Sequence, residues 1–159
     1  MIESLSYDDV LLKPQYSDIR SRTEVSTQVD LGNNLILRVP ILASPMDTIS
    51  ETAMAVSLGL YGGAAIIHRY NSIQQQADII TMARQIAEHD HNKQIVLGAA
   101  VGITDDYLNR AAVLSALGVN FLCVDVAHGH HVLMKEALQT LRHKLGPDIH
   151  IMAGNVATI

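Results

Sequence analysis

The chain has 159 residues, of which 48% are hydrophobic and 17% charged, and this composition predicts one globular domain with its own core. The net charge of −5 provides no basic surface, so nucleic acid is not an expected partner. The sequence contains no run of membrane-spanning length, no secretory signal and only one cysteine, Cys123. We therefore expect a cytoplasmic protein without a membrane partner.

Five short apolar runs are the predicted strands. Each is nearly continuously apolar rather than alternating, which is typical of strands buried on both faces and hence of a parallel sheet. The runs are residues 39–44, 62–68, 95–102, 121–127 and 149–158.

Segments with helical periodicity separate these strands. The predicted helices are residues 50–59, 72–89, 104–118 and 130–146. Ser72 and Gln75 have the spacing of a capping box at the start of the second helix. Thr104 is the candidate N-cap of the third helix.

The alternating order of strands and helices fits either a doubly wound sheet or part of a TIM barrel. A doubly wound dinucleotide-binding fold would place G-x-G-x-x-G after its first strand, and the sequence has no such motif. Polar residues instead follow the strands directly, where barrel enzymes carry their chemistry. These residues are Asp47, Thr48, His68, Arg69, Asp125, His128 and Asn155.

The expected fold is therefore α/β, the N-terminal part of a TIM (β/α)8 barrel with about five βα units. A complete barrel needs eight units over about 250 residues. Residues 1–159 are accordingly interpreted as the N-terminal part of one catalytic domain from a longer enzyme. A half-barrel that associates with itself is the alternative.

Several polar residues are candidates for a site, and the residues alone leave their roles open. In the stretch SPMD (44–47), Asp47 either belongs to a catalytic loop or starts a helix. Asp125 ends an otherwise apolar strand, so its carboxylate must find hydrogen-bond donors or face a binding site. Asn155 either joins that site or forms only a turn.

Three histidines, His128, His130 and His131, crowd the stretch VDVAHGHH (124–131). They lack the spacing of zinc ligands, so no metal site is expected there. His130 and His131 are expected to begin the next helix and meet solvent. Cys123 lies in the middle of a predicted strand and is expected to be a small core residue.

Six motifs together resemble the IMP dehydrogenase/GMP reductase family. They are LSYDDVLLKPQYS (5–17), VPILASPMDTISE (39–51), GGAAIIHR (62–69), LGAAVG (97–102), VDVAHGH (124–130) and IMAGNVAT (151–158). Their order and spacing over nearly the whole chain are far more specific than any single motif. The resemblance implies a TIM barrel that forms a homotetramer. It also implies hydride transfer between a purine nucleotide and a nicotinamide cofactor, through a covalent bond from a cysteine to purine C2.

The resemblance also implies roles for individual residues. Ser44, Met46 and Asn155 are expected to bind the nucleotide, with the Met46 thioether against the purine base. The expected cofactor-binding residues are Asp125, Val126, Ala127 and His128. Of these, Asp125 is expected to accept hydrogen bonds from the nicotinamide ribose.

No catalytic residue is expected within the chain. The family's nucleophile lies in a G-x-G-S-x-C loop, which is expected beyond Ile159, as is the site for a monovalent cation such as potassium. Cys123 does not match that loop, so the chain itself is expected to be inactive.

Two activities remain open within the family. The regulatory CBS repeats of most IMP dehydrogenases would fall at residues 88–94, where only a short polar junction occurs. GMP reductases lack these repeats, as do a few dehydrogenases. His128 and the stretch SPMDTISE favour NAD-dependent oxidation of IMP to XMP in guanine nucleotide biosynthesis. The stretch SRTEVS (21–26) favours the alternative, reduction of GMP with NADPH. Another TIM-barrel oxidoreductase, or a non-catalytic truncated product, is a further alternative.

Overall fold

Strands and helices alternate along the chain in the computed structural model, which describes residues 5–157. The strands are β1 (Val29–Asp30), β2 (Ile36–Leu37), β3 (Leu42–Ala43), β4 (Ala64–Ile67), β5 (Val96–Val101), β6 (Phe121–Asp125) and β7 (His150–Gly154). The helices are α1 (Thr52–Tyr61), α2 (Ile73–His91), α3 (Tyr107–Ala116) and α4 (Val132–Leu145). Two single 3₁₀ turns, Tyr7–Asp9 and Arg22–Glu24, precede them.

The main sheet is parallel, and its strand order is β3-β4-β5-β6-β7. Strands that pair strictly in chain order are those of a barrel, whereas a doubly wound sheet reverses its order at a switch point. The expected fold, the N-terminal part of a TIM barrel, is therefore confirmed. A small antiparallel hairpin of β1 and β2 lies outside this order.

Side chains alternate between two apolar clusters on the two faces of the sheet. Ala65 and Ile67 point toward the helices and join the larger cluster, which includes Ile80 of α2 and Leu114 of α3. On the inner face, Ala64, Ile66, Ala100, Phe121 and Cys123 pack with Leu35 and Leu37 of the hairpin segment. Burial on both faces explains why the strands are continuously apolar.

The predicted boundaries are close for most elements. The capping box of Ser72 and Gln75 is confirmed at the start of α2. The predicted strand 39–44 is reduced to two residues, since Pro40 and Pro45 lack the N–H that a ladder needs. The predicted strand 149–158 ends at Gly154, and residue 158 lies outside the described residues.

The prediction that Thr104 caps α3 is wrong. The N-cap is Asp106, and α3 begins at Tyr107. Asp105 adopts a left-handed conformation with φ of 57°, which prevents the helical turn from starting at Thr104.

The junction between α2 and β5 is short, as expected. Asn92 adopts φ of 48° after the last turn of α2, and its N–H donates to the Glu88 carbonyl. The chain then enters β5 at Val96, so no domain is inserted between them.

Apolar side chains remain exposed on the segment that precedes the hairpin. Tyr7, Leu11, Leu12 and Tyr16 are each more than nine-tenths exposed. Among residues 5–157, no helix is both long and apolar enough to cross a lipid bilayer.

Candidate functional site at the carboxyl ends of the strands

The predicted site residues follow the carboxyl ends of parallel strands, so they share one edge of the sheet, called the rim here. Ser44 directly follows β3, Asp125 is the last residue of β6, and Asn155 directly follows β7. Asp125 pairs in register with Gly154, which places Asn155 next to it on the rim.

The loop after β6 is held against the end of β7 by three backbone hydrogen bonds. The Val126 N–H donates to the Gly154 carbonyl at 2.9 Å, and the Asn155 N–H donates to the Val126 carbonyl at 2.7 Å. The Gly129 N–H donates to the Asn155 carbonyl at 2.7 Å. A Cβ on Gly129 would lie 2.6 Å from that carbonyl oxygen, so only glycine fits.

Asp125 points to the inner face of the sheet. Its neighbours at two-residue intervals, Phe121 and Cys123, both belong to the inner cluster, and side chains alternate along a strand. Asp125 is half-buried. The amides of Val126, Gly129 and His131 all donate to backbone carbonyls, so they are not the donors that compensate this carboxylate.

Cys123 lies one step below Asp125 on the same face and is buried. Loss of hydration, and secondarily the negative charge of Asp125, raise the pKa of the Cys123 thiol to about 11. The thiol is therefore protonated at neutral pH, and the prediction that Cys123 is a core residue is confirmed.

Met46 is presented by a tight turn after β3. The Ser44 carbonyl accepts hydrogen bonds from the Met46 N–H, at 2.8 Å, and from the Ser50 hydroxyl. Ser50 is fully buried, whereas Met46 is 48% exposed. Helix α1 begins only at Thr52, so Asp47 belongs to this loop and does not start the helix.

His68 links the loop after β4 to the start of α1 through a hydrogen bond. Its imidazole is almost fully buried, and its Nε2 lies 3.2 Å from Glu51 Oε1. Its Nδ1 accepts a hydrogen bond from the Tyr70 N–H, so Nε2 carries the proton and donates to the carboxylate. His68 thereby orients this part of the rim.

The three histidines after β6 have different environments. His131 is the N-cap of α4, and its Nδ1 accepts a hydrogen bond from the Leu133 N–H. His128 and His130 are exposed, and the His128 ring lies 6.4 Å from that of His131. Within residues 5–157, no group of three or more His, Cys, Asp or Glu residues could hold a metal ion.

Comparison with known proteins identifies the family. The model of the IMP dehydrogenase / GMP reductase domain matches residues 4–159. The chain belongs to the IMP dehydrogenase/GMP reductase family. The chain spans about half the length of the curated relatives it matches over its full extent.

Relatives with both family activities match. An inosine-5'-monophosphate dehydrogenase from Borreliella burgdorferi is 30% identical over 199 positions, covering 98% of this chain and 49% of that protein. A GMP reductase from Lactobacillus delbrueckii subsp. bulgaricus is 31% identical over 159 positions, covering 99% of this chain and 45% of that protein. A GMP reductase from Leishmania donovani is 45% identical over 83 positions, covering 52% of this chain and 17% of that protein.

Sequence reasoning missed one cluster behind the rim of this family member. Gln76 is fully buried, and its side-chain amide donates to the carbonyls of Ile67 and Ala100, both at 3.0 Å. Arg110 is 6% exposed and donates to Gln76 Oε1 at 2.8 Å. The available signal was that Gln76 falls on the apolar face of α2, four residues before Ile80.

Arg110 also joins two other parts of the rim. Its guanidinium donates to the Asn71 carbonyl at 3.0 Å and to the Asp106 carboxylate at 2.8 Å. The ion pair with Asp106 compensates the buried charge.

Proposed function

We propose that the protein containing residues 1–159 is a purine nucleotide oxidoreductase that oxidises IMP to XMP with NAD. The half-buried Asp125 carboxylate at the end of β6 supports a nicotinamide cofactor, and His128 and the stretch SPMDTISE (44–51) favour IMP as the substrate. Membership of the IMP dehydrogenase/GMP reductase family supplies the class of reaction.

The residues after β6 fit the cofactor. A carboxylate that faces the inner rim accepts two hydrogen bonds from a vicinal diol, and the nicotinamide ribose carries such a diol. Asp125 would bind that ribose, and Val126, Ala127 and His128 would line the cofactor cleft. The nicotinamide ring supplies the hydride acceptor when it is bound.

The residues after β3 and β7 fit the nucleotide. The exposed Met46 thioether is polarisable and suits the flat face of a purine. Ser44 and Asn155 provide hydroxyl and amide groups that would orient the nucleotide on the same rim. Because Asn155 adjoins Asp125, the nucleotide and the cofactor would meet at β6 and β7.

The nucleophile is not Cys123. A thiol with a pKa of about 11 is almost wholly protonated at neutral pH, and nucleophilic attack needs the thiolate. The nucleophilic cysteine and the monovalent-cation site would come from outside residues 1–159. A cytoplasmic homotetramer is the proposed form of the enzyme.

Reduction of GMP with NADPH is the second candidate, and the lengths of two alignments support it. The GMP reductase from Lactobacillus delbrueckii aligns over 159 positions, the length of this chain. The Borreliella dehydrogenase needs 199 positions and therefore carries residues that this chain lacks.

A pair of assays on the full-length protein tests the proposal. We expect NADH to appear with IMP and NAD, and NADPH not to be consumed with GMP. Turnover in the second assay alone would reverse the assignment to GMP reductase. Turnover in neither assay would remove both functions.

A further inference from the structure

The buried cluster of Gln76 and Arg110 lies between the part of the proposed site that follows β3 and the part at the ends of β6 and β7. Gln76 is the fourth residue of α2, and Arg110 is the fourth residue of α3. Their side chains meet at the rim side of the sheet, because Ile67 is the last residue of β4 and Ala100 is the next-to-last residue of β5.

The cluster satisfies backbone groups at the end of the sheet. The Gln76 amide bridges one carbonyl from β4 and one from β5. Buried carbonyls without partners are costly, and this bridge gives each of these two carbonyls a donor. Arg110 then joins the bridge to the loop 68–72 through Asn71 and to the loop 102–106 through Asp106.

The two bridged strands have the proposed binding groups on either side. Strand β4 pairs with β3, which leads into Ser44. Strand β5 pairs with β6, where Ala100 is opposite Cys123, two residues before Asp125. The distance from Ser44 to Asp125 across the rim therefore depends on how β4 and β5 are joined.

We infer that Gln76 and Arg110 are positioning residues that set the spacing between the loop after β3, which carries Ser44, and Asp125 at the end of β6. The inference rests on the proposed function only for its catalytic readout. Neither side chain contacts a substrate in this role, and both act through the backbone of the two loops. Misplacement by about 1 Å is enough to lower a rate about a hundredfold.

Gln76→Leu in the full-length protein is the test, because leucine keeps most of the volume and removes both donors. We expect kcat to fall about ten- to hundredfold while both Michaelis constants change much less. Hydrogen exchange should become about tenfold faster in residues 68–72 and 102–106. Both measurements are made well below the melting temperature.

Arg84→Leu is the matched control. Arg84 also donates to two backbone carbonyls, those of Leu117 and Gly118, but these precede β6 and lie at the opposite end of the sheet. This variant should lower the melting temperature and accelerate exchange near residues 117–120, with kcat unchanged.

The results separate a positioning role from general stabilisation. Unchanged exchange in the two loops, or an unchanged kcat in Gln76→Leu, would overturn the inference. An equal loss of kcat in Arg84→Leu would also overturn it, since both changes would then act through stability alone. If the wild-type protein turns over neither nucleotide, the proposed function fails, and exchange in the two loops still decides whether the cluster orders the rim.

Discussion

Replacing Asp125 by asparagine in the full-length protein removes one charge and leaves the shape of the side chain nearly unchanged. The carboxylate is half-buried, so water replaces a lost ligand contact only in part. A hydrogen bond to a charged group contributes about 1.5–3 kcal/mol. We therefore expect the Michaelis constant for the cofactor to rise about ten- to hundredfold.

The same substitution should leave the fold intact. Nearby amides, those of Val126, Gly129 and His131, donate to carbonyls rather than to Asp125, so the melting temperature should change little. The pKa of the Cys123 thiol should fall below its value of about 11, but loss of hydration, the larger cause, persists. A lower pKa of the Cys123 thiol in Asp125→Asn would therefore show that the carboxylate charge lies near this thiol in the wild-type protein.

Steady-state kinetics with each substrate varied in turn, together with thermal melts, complete the assay. The Michaelis constant for the nucleotide should change far less than that for the cofactor. An unchanged cofactor constant would remove Asp125 from the site. A lower melting temperature with both constants raised alike would mean that the carboxylate holds the loop instead.

Three further experiments probe the sheet and its rim. Gly98→Ala should lower the free energy of unfolding by about 1–3 kcal/mol in urea melts. The reason is that a Cβ at position 98 would lie 2.3 Å from the Phe121 ring. Adding Phe121→Leu to this variant should restore part of the lost stability. Gly129→Ala should weaken cofactor binding and lower the melting temperature, because the added Cβ would collide with the Asn155 carbonyl. A cofactor affinity and a melting temperature equal to those of the wild type would contradict this packing. The folded pKa of Cys123, about 11, exceeds the ordinary value of 9.0. The contribution of this thiol to the free energy of unfolding should therefore be constant below pH 9 and fall by about 2–3 kcal/mol between pH 9 and pH 11. An equal fall in Cys123→Ala would assign it to other groups.

Local patterns predicted most of the fold. Continuous apolar runs located all five parallel strands, since burial on both faces leaves no polar alternation. The hairpin of β1 and β2 was missed, because strands of two residues are too short to show a pattern. Two other errors fell where backbone conformation overrides pattern. Pro40 and Pro45 shorten β3, and the left-handed Asp105 delays α3 past Thr104.

The sequence predicted where the rim lies, but it did not predict the hydrogen bonds that hold the rim together. Gly129 lies against the Asn155 carbonyl, which is far along the chain and which no local pattern predicts. Gln76 and Arg110 were missed for the same reason. Their partners include backbone carbonyls 24 and 39 residues away, and a carbonyl has no sequence signature.

Strand β6 runs from the buried core to the rim within five residues, so its cysteine and its aspartate lie in different environments. Phe121, Cys123 and Asp125 share one face, but of the three only Asp125, at the strand end, is partly exposed to water. Its charge adds to burial in opposing ionisation of the thiol below. A catalytic cysteine needs neighbours that stabilise a thiolate, such as cations or a helix N-terminus. A strand that ends in a carboxylate is therefore a poor place for a nucleophilic cysteine, and the proposal accordingly assigns ribose binding and nucleophilic attack to different strands of the barrel.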